Sequence, residues 1–231
     1  MSTAPPAWPV QRVRWSAASR IVPTRFPTVF LYDRVADRQD FDALYALEAM
    51  TNDRLRDELG EIELVPSADR IFGPGSGPIM AAFTHLNPAG SRFSDGSFGM
   101  FYAARERATA IAETQYHLAL FLAATNEAAI HLQMRVYHVA IDARLHDLRG
   151  PGPELAALHD PDRYAASREA GAALRAAGSA GVVYRSVRSA AGSSPCVGLF
   201  KPRAASACVH AAHLLYAWDG QAFTGTYERL G

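Results

Sequence analysis

The sequence predicts a mixed α+β single domain built on an antiparallel or split sheet. Three observations carry this. A chain of 231 residues that is 49% hydrophobic can bury one sizeable core. Segments of strand and helix character alternate singly along it, and Asp219-Gly220 stands between aromatic, strand-prone residues as a hairpin signal.

Taken in order, residues 1–36 hold five of the 14 prolines and little periodicity, which predicts irregular segments with one strand near Phe30 to Tyr32. From Asp37 to Leu59 the apolar residues Phe41, Leu44, Tyr45, Leu47, Leu55 and Leu59 fall near helical spacing. Thr51, Asn52 and Asp53 can restart or cap a second helix there. Ile71 to Gly90 is rich in Gly and Pro and reads as loop around a short apolar piece, Ile79 to Phe83. Its GPGSGP string lacks the Lys and the spacing of a phosphate-binding P-loop, so a plain turn is the better reading.

SFGMFYAA then alternates as a strand, with Phe98, Met100 and Tyr102 on one face and Phe101 on the other. A helix follows from Glu106 to Ala124, a strand from Leu132 to Asp142, and a helix from Tyr164 closed by Gly178. Gly181 to Val187 and Cys196 to Phe200 are strand-like, and the hairpin lies between Cys208 and Tyr227.

Charge excludes some function classes. With 23 Lys and Arg against 23 Asp and Glu, no net field draws nucleic acid or an anionic membrane. Lys201 is the single lysine, and the Arg-rich usage suits bidentate recognition of phosphate or carboxylate, although an Ala/Arg-rich chain more often just reflects a GC-rich genome. No apolar run reaches the ~20 residues of a membrane span, and the N-terminus lacks a signal-peptide pattern, so a cytoplasmic protein is expected. Cys196 and Cys208 read as small buried hydrophobes. Cys208, His210 and His213 are weak zinc candidates, since His residues three apart on a strand point to opposite faces; no metal is expected.

Chemistry points instead to Arg92, Tyr102 and Glu113, one each on a turn, a strand and a helix. A helix that follows a strand closely packs back onto the sheet, so Tyr102 and Glu113 can meet at one cleft. Each residue alone has a plainer structural explanation: a solvated helical Glu, a core Tyr, a surface Arg.

The string NPAGSRFSDGSFGMFYAARERATAIAET, with SRIVPTRFP before it and GVVYRSVR after it, resembles the RES domain, a family named for Arg, Glu and Ser positions. The resemblance runs from about Ser19 to Tyr227. It places an irregular segment at 1–18 and the RES domain at 19–231. It implies an ADP-ribosyltransferase-like fold with a split antiparallel sheet and surrounding helices. It also implies consumption of NAD as substrate, a toxin's role in a toxin-antitoxin system, and an Xre-like helix-turn-helix antitoxin as partner.

Carried over by position, Glu113 is the catalytic acid of the helix, Arg20 the first Arg, Arg92 the Arg of the turn, Tyr102 the strand aromatic and Ser186 the Ser. Arg25 competes with Arg20, and Ser167 with Ser186. Glu113, Arg20 and Ser186 are then the catalytic candidates, and Arg20, Arg92, Tyr102 and Ser186 the NAD-binding ones. The expected reaction breaks the nicotinamide-ribose bond through an oxocarbenium-like transition state that a carboxylate stabilises. Arg20 and Arg92 would hold the anionic end, Tyr102 would stack on the leaving ring and the Ser would orient a ribose hydroxyl. The acceptor leans to a protein, because Phe41 to His85 offers extra surface for docking. NAD glycohydrolase or phosphorylase activity, and a non-catalytic binding module of the same fold, are the alternatives.

Overall fold

Strand β1, Val10–Pro23, opens the computed structural model of the protein, which describes residues 8–25, 33, 60–189 and 194–229. The expectation of an irregular segment over residues 1–18 is therefore corrected from Val10 onward. Alternation hides there because the register against the partner strand shifts between Trp15 and Ala18. Val13 and Trp15 enter one core with period two; past the irregularity Ala18 returns to that core on a changed phase, and Ile21 packs on the opposite face of the sheet. The strand expected at Phe30 to Tyr32 and the helices expected over 37–59 lie outside the described residues.

Helix α1, Gly77–Thr84, contains the apolar piece expected at 79–83. Its first N–H groups do not need an anion from outside. Asp33 Oδ1 accepts from Gly77 N at 2.7 Å and from Ser76 Oγ at 3.4 Å, so the chain's own carboxylate fills the position a phosphate would take. β2 (Phe101–Ala104), α2 (Arg107–Ala124) and β3 (Ile130–Asp147) follow, β3 being longer at both ends than the alternation suggested. Then come α3 (Pro153–Leu158), α4 (Ala165–Ala176), β4 (Gly181–Arg185) and β5 (Pro195–Leu199). The chain ends in β6 (Val209–Trp218) and β7 (Phe223–Glu228). Gly178, at φ 79°, takes the left-handed conformation that ends α4. The β6–β7 connection is a four-residue loop in place of a tight Asp-Gly turn, with Asp219 Oδ1 accepting from Gln221 N and Ala222 N at 2.8 Å each.

One seven-stranded sheet, in the order β1-β2-β5-β4-β3-β6-β7, closes on itself because β1 pairs with β3 from Val10↔His146 to Pro23↔Met134. The other edge of β3 carries β6 along Ile130 to His138 and β4 only at His146 and Asp147, so the sheet splits along this strand. Every pairing is antiparallel except β3 with β4. The result is the mixed α+β single domain with a split sheet that the sequence predicts, with one parallel pair added.

Alternation gives the sheet two apolar faces. Phe101, Val139, Ile141, Val183, Val197 and Leu199 pack with Ile79, Met80 and Phe83 of α1. Met100, Ala104, Met134, Val182 and Tyr184 pack on the opposite side with Leu155 and Leu158 of α3 and Leu174 of α4. Helix α2 lies against β1 and β2. Helix α4 comes so close to the loop before β2 that a Cβ on Gly171 would sit 2.0 Å from Phe93 O.

Candidate active site

A cleft of about 700 Å³ opens where β1, β2 and α2 meet the loop 87–92 and the start of α4. That size suits a ligand of nucleotide dimensions, since small-molecule sites run ~300–1,000 Å³. Glu113 and His117, one helical turn apart on α2, form one wall. Arg20, Tyr102, Arg92, Tyr164 and Tyr184 line it from the other elements, and Leu118, Leu120 and Phe121 make an apolar flank.

Ser186 lies just past the end of β4, 1% exposed, and its hydroxyl donates to Glu113 Oε1 at 2.6 Å. The same oxygen accepts from Arg188 N and Ser189 N, both at 3.1 Å. Two N–H groups thus occupy the acceptor side of the hydroxyl and its one proton is committed to the carboxylate. Ser167 is elsewhere: fully buried in α4, it donates to Tyr164 O at 3.1 Å. Of the two serine candidates, the fold brings Ser186 to Glu113.

Arg20 projects from β1 over the Phe101 ring, 4.5 Å from its centroid, and donates through Nη1 to Tyr102 O at 3.1 Å. Burial lowers its pKa, and its Nε is a buried donor with no partner among the described residues. Arg25 stands at the same cleft with its guanidinium 5.5 Å from the Phe121 ring centroid, so the cleft admits both first-Arg candidates. Arg92 is only 6% exposed. Its Nη1 donates to Leu158 O at 3.1 Å and Asp160 O at 3.0 Å, and it stacks 4.5 Å from the Tyr164 ring centroid. It ties the α3 region to the cleft wall as well as lining it.

The Tyr102 hydroxyl accepts from Phe93 N at 3.1 Å and lies 2.8 Å from Ser91 Oγ and 3.2 Å from Met100 Sδ, so its oxygen is spoken for and its ring faces the cleft. Burial pushes this phenol up to about 12, does the same to Tyr216, and lifts Tyr184 well above its ordinary value. Because the unfolded phenols ionise near ~10, the stability these groups contribute is complete below that pH and falls as pH rises from about 10 to 12. Denaturant midpoints measured from pH 8 to 11 are expected to decline at the alkaline end, and Tyr102→Phe to make the decline shallower.

Sequence reasoning did not single out Tyr164, Arg168 and Tyr184 for the cleft. Tyr164 and Arg168 are four apart at the start of a predicted helix, a spacing that puts both on one face. Arg168 donates to Ser91 O at 3.0 Å and Ala89 O at 2.7 Å, which fixes the loop beneath Arg92. His210 and His213 do not point to opposite faces as their spacing on a strand predicts. The rings of His210 and His213 lie 4.5 Å apart, centroid to centroid, because the β3–β6 register shifts between Val136↔Ala212 and Tyr137↔His210 and the extra residue turns both to one side.

Comparison with known proteins gives three findings. The family model of the RES domain matches residues 67–219. An uncharacterized protein, y4oC of Sinorhizobium fredii, is 30% identical over 203 residues, which is 87% of this chain and 82% of that protein. The crystal structure of the M. tuberculosis MbcT-MbcA toxin-antitoxin complex contains a chain that is 11% identical, with a TM-score of 0.47, covering 91% of this chain and 87% of that one. No helix among the described residues is long and apolar enough to cross a membrane.

Proposed function

The chain belongs to the RES domain family, and from that premise we propose that it breaks the nicotinamide-ribose bond of NAD, passes the ADP-ribose to an acceptor, and acts as the toxin of a toxin-antitoxin system. The observation that supports this best is the Ser186–Glu113 pair on the wall of a cleft that also presents Arg20 and Tyr102. Ser186 engages Oε1 of Glu113, and among the described residues no hydrogen bond engages Oε2. A carboxylate held in this way by one oxygen can turn the other toward ribose hydroxyls and the positive charge that grows on the ribose as the bond breaks. Arg20, with an orphaned donor, and the cleft-edge cations Arg25 and Arg168 suit the pyrophosphate. The rings of Tyr102 and Tyr164 offer flat walls for a leaving nicotinamide.

In this reading Ser186 positions Glu113 and does not itself hold a ribose hydroxyl, since its proton is already given. Ser186→Ala removes a hydrogen bond to a charged group worth about 1.5–3 kcal/mol. The expected result is a fall of roughly 10-fold or more in kcat for nicotinamide release, with KM for NAD nearly unchanged. A rise in KM with kcat intact would return the Ser to direct ribose contact.

A protein is the proposed acceptor and an Xre-like helix-turn-helix protein the proposed antitoxin. The deciding experiment is nicotinamide release from NAD by purified protein, followed by incubation with labelled NAD and cell extract. A labelled protein band supports transfer to protein. Label confined to small products supports glycohydrolase or phosphorylase action, and no nicotinamide release at all leaves only a binding module.

A further inference from the structure

We infer that His117 is the base that takes the proton of the incoming acceptor, an inference that rests on the function proposed above. His117 opens onto the cleft one turn beyond Glu113 on α2, and its ring meets the Tyr116 ring at 5.3 Å between centroids. Among the described residues no hydrogen bond engages either of its ring nitrogens. His159 shows the contrast: its Nδ1 is 2.7 Å from Leu155 O and its Nε2 accepts from Arg185 N at 3.1 Å, so both nitrogens serve the fold. His146 likewise has Nδ1 2.9 Å from Ser179 Oγ.

The chemistry needs such a group. When the bond between ribose C1′ and the nicotinamide nitrogen breaks, its electron pair leaves with nicotinamide, which departs neutral. An acceptor O–H then bonds to C1′ through oxygen and must shed its proton. Glu113 has Oε1 engaged by Ser186 and its charge directed to the ribose, so a second group is required for the proton. His117 receives it on a ring nitrogen and releases it to solvent after the product leaves.

The surroundings keep the imidazole able to do this. Partial desolvation lowers its pKa first; Glu113 on the same helix face raises it, while Arg188 from beyond β4 and Arg92 from the loop before β2 lower it again. Arg188 is held in place over the Tyr116 ring, 3.3 Å from its centroid, and faces Asp162 at 3.9 Å. The balance leaves a neutral imidazole at neutral pH, the form that accepts a proton.

The test compares wild type with His117→Gln in nicotinamide release from NAD, across pH, with water and then with added azide, an anionic nucleophile that has no proton to lose. With water, the variant is expected to lose about 10²-fold in kcat, the usual worth of a general base. Its KM for NAD should stay within about 2-fold, and it should lack the acid-side fall in rate that wild type shows at a pH below the ordinary imidazole value, where burial places the titration of His117. Azide should restore much of the variant's rate and do little for Glu113→Gln. A variant that keeps the wild-type acid limb, or whose loss azide does not relieve while its melting temperature is unchanged, overturns the inference. Wild type that releases no nicotinamide overturns the function proposed above instead, so the two failures are distinct.

Discussion

Glu113→Gln is expected to reduce nicotinamide release by about 10²- to 10³-fold, the scale on which one preorganised electrostatic contact acts, while the protein stays folded. Gln keeps a carbonyl oxygen where Oε1 stands, so Ser186 can still donate at that position, and α2 keeps its packing against β1 and β2. What is lost is the negative charge facing the cleft. Nicotinamide release measured beside a thermal melt separates the two effects. Growth inhibition should vanish with the activity; a Gln variant that remains fully toxic would show that the cleft works by binding alone.

Gly171→Ala is expected to have the largest effect on stability. A Cβ there would meet Phe93 O at 2.0 Å and Phe93 C at 2.8 Å, both backbone atoms that cannot swing aside as a side chain can. Either α4 or the loop carrying Arg92 must move. Overpacking of this kind costs about 1–3 kcal/mol, occasionally more, and Ala recovers about 1 kcal/mol of helix propensity. With two unyielding backbone contacts placing the cost at the upper end of that range, the net loss is about 2 kcal/mol, which lowers the melting temperature by roughly 4–8 °C in a chain of this length. Activity should fall as well, because Phe93 N donates to the Tyr102 hydroxyl and Arg92 is the preceding residue. A melt within a degree of wild type would mean that the approach of α4 relaxes without cost.

Several parts of the fold were legible in the sequence, and the failures have physical causes. Strand β2, helix α2 and helix α4 were readable because each is local and periodic. β1 was not, since its register shift breaks the period-two pattern midway. Closure of the sheet by β1 and β3 is a long-range pairing that no local pattern encodes. At the cleft, Arg92, Tyr102 and Glu113 were singled out by their places on a turn, a strand and a helix, Arg20 and Ser186 were reached by family resemblance, and the structure shows where each lies. The choice between Ser186 and Ser167 needed three dimensions: both are buried serines, and of the two only Ser186, just past the end of β4, reaches Glu113 on α2. Tyr164 was legible as a helix start but not as a wall of the cleft, because its place depends on the guanidinium of Arg92 stacked on it.

The closed path of the sheet also bears on when the cleft can form during synthesis. β1 is made before β3, yet it pairs with β3 across more than a hundred residues, and the ring through β2, β5 and β4 cannot form before β5 at Pro195–Leu199 has left the ribosome. Arg20 sits near the beginning of that path and Ser186 near its end, so the cleft is complete only after both ends of the path have been made. Contacts so distant in sequence form slowly, and a ribosome adds only about 5–20 residues per second. A chain released before β5 therefore has no complete cleft.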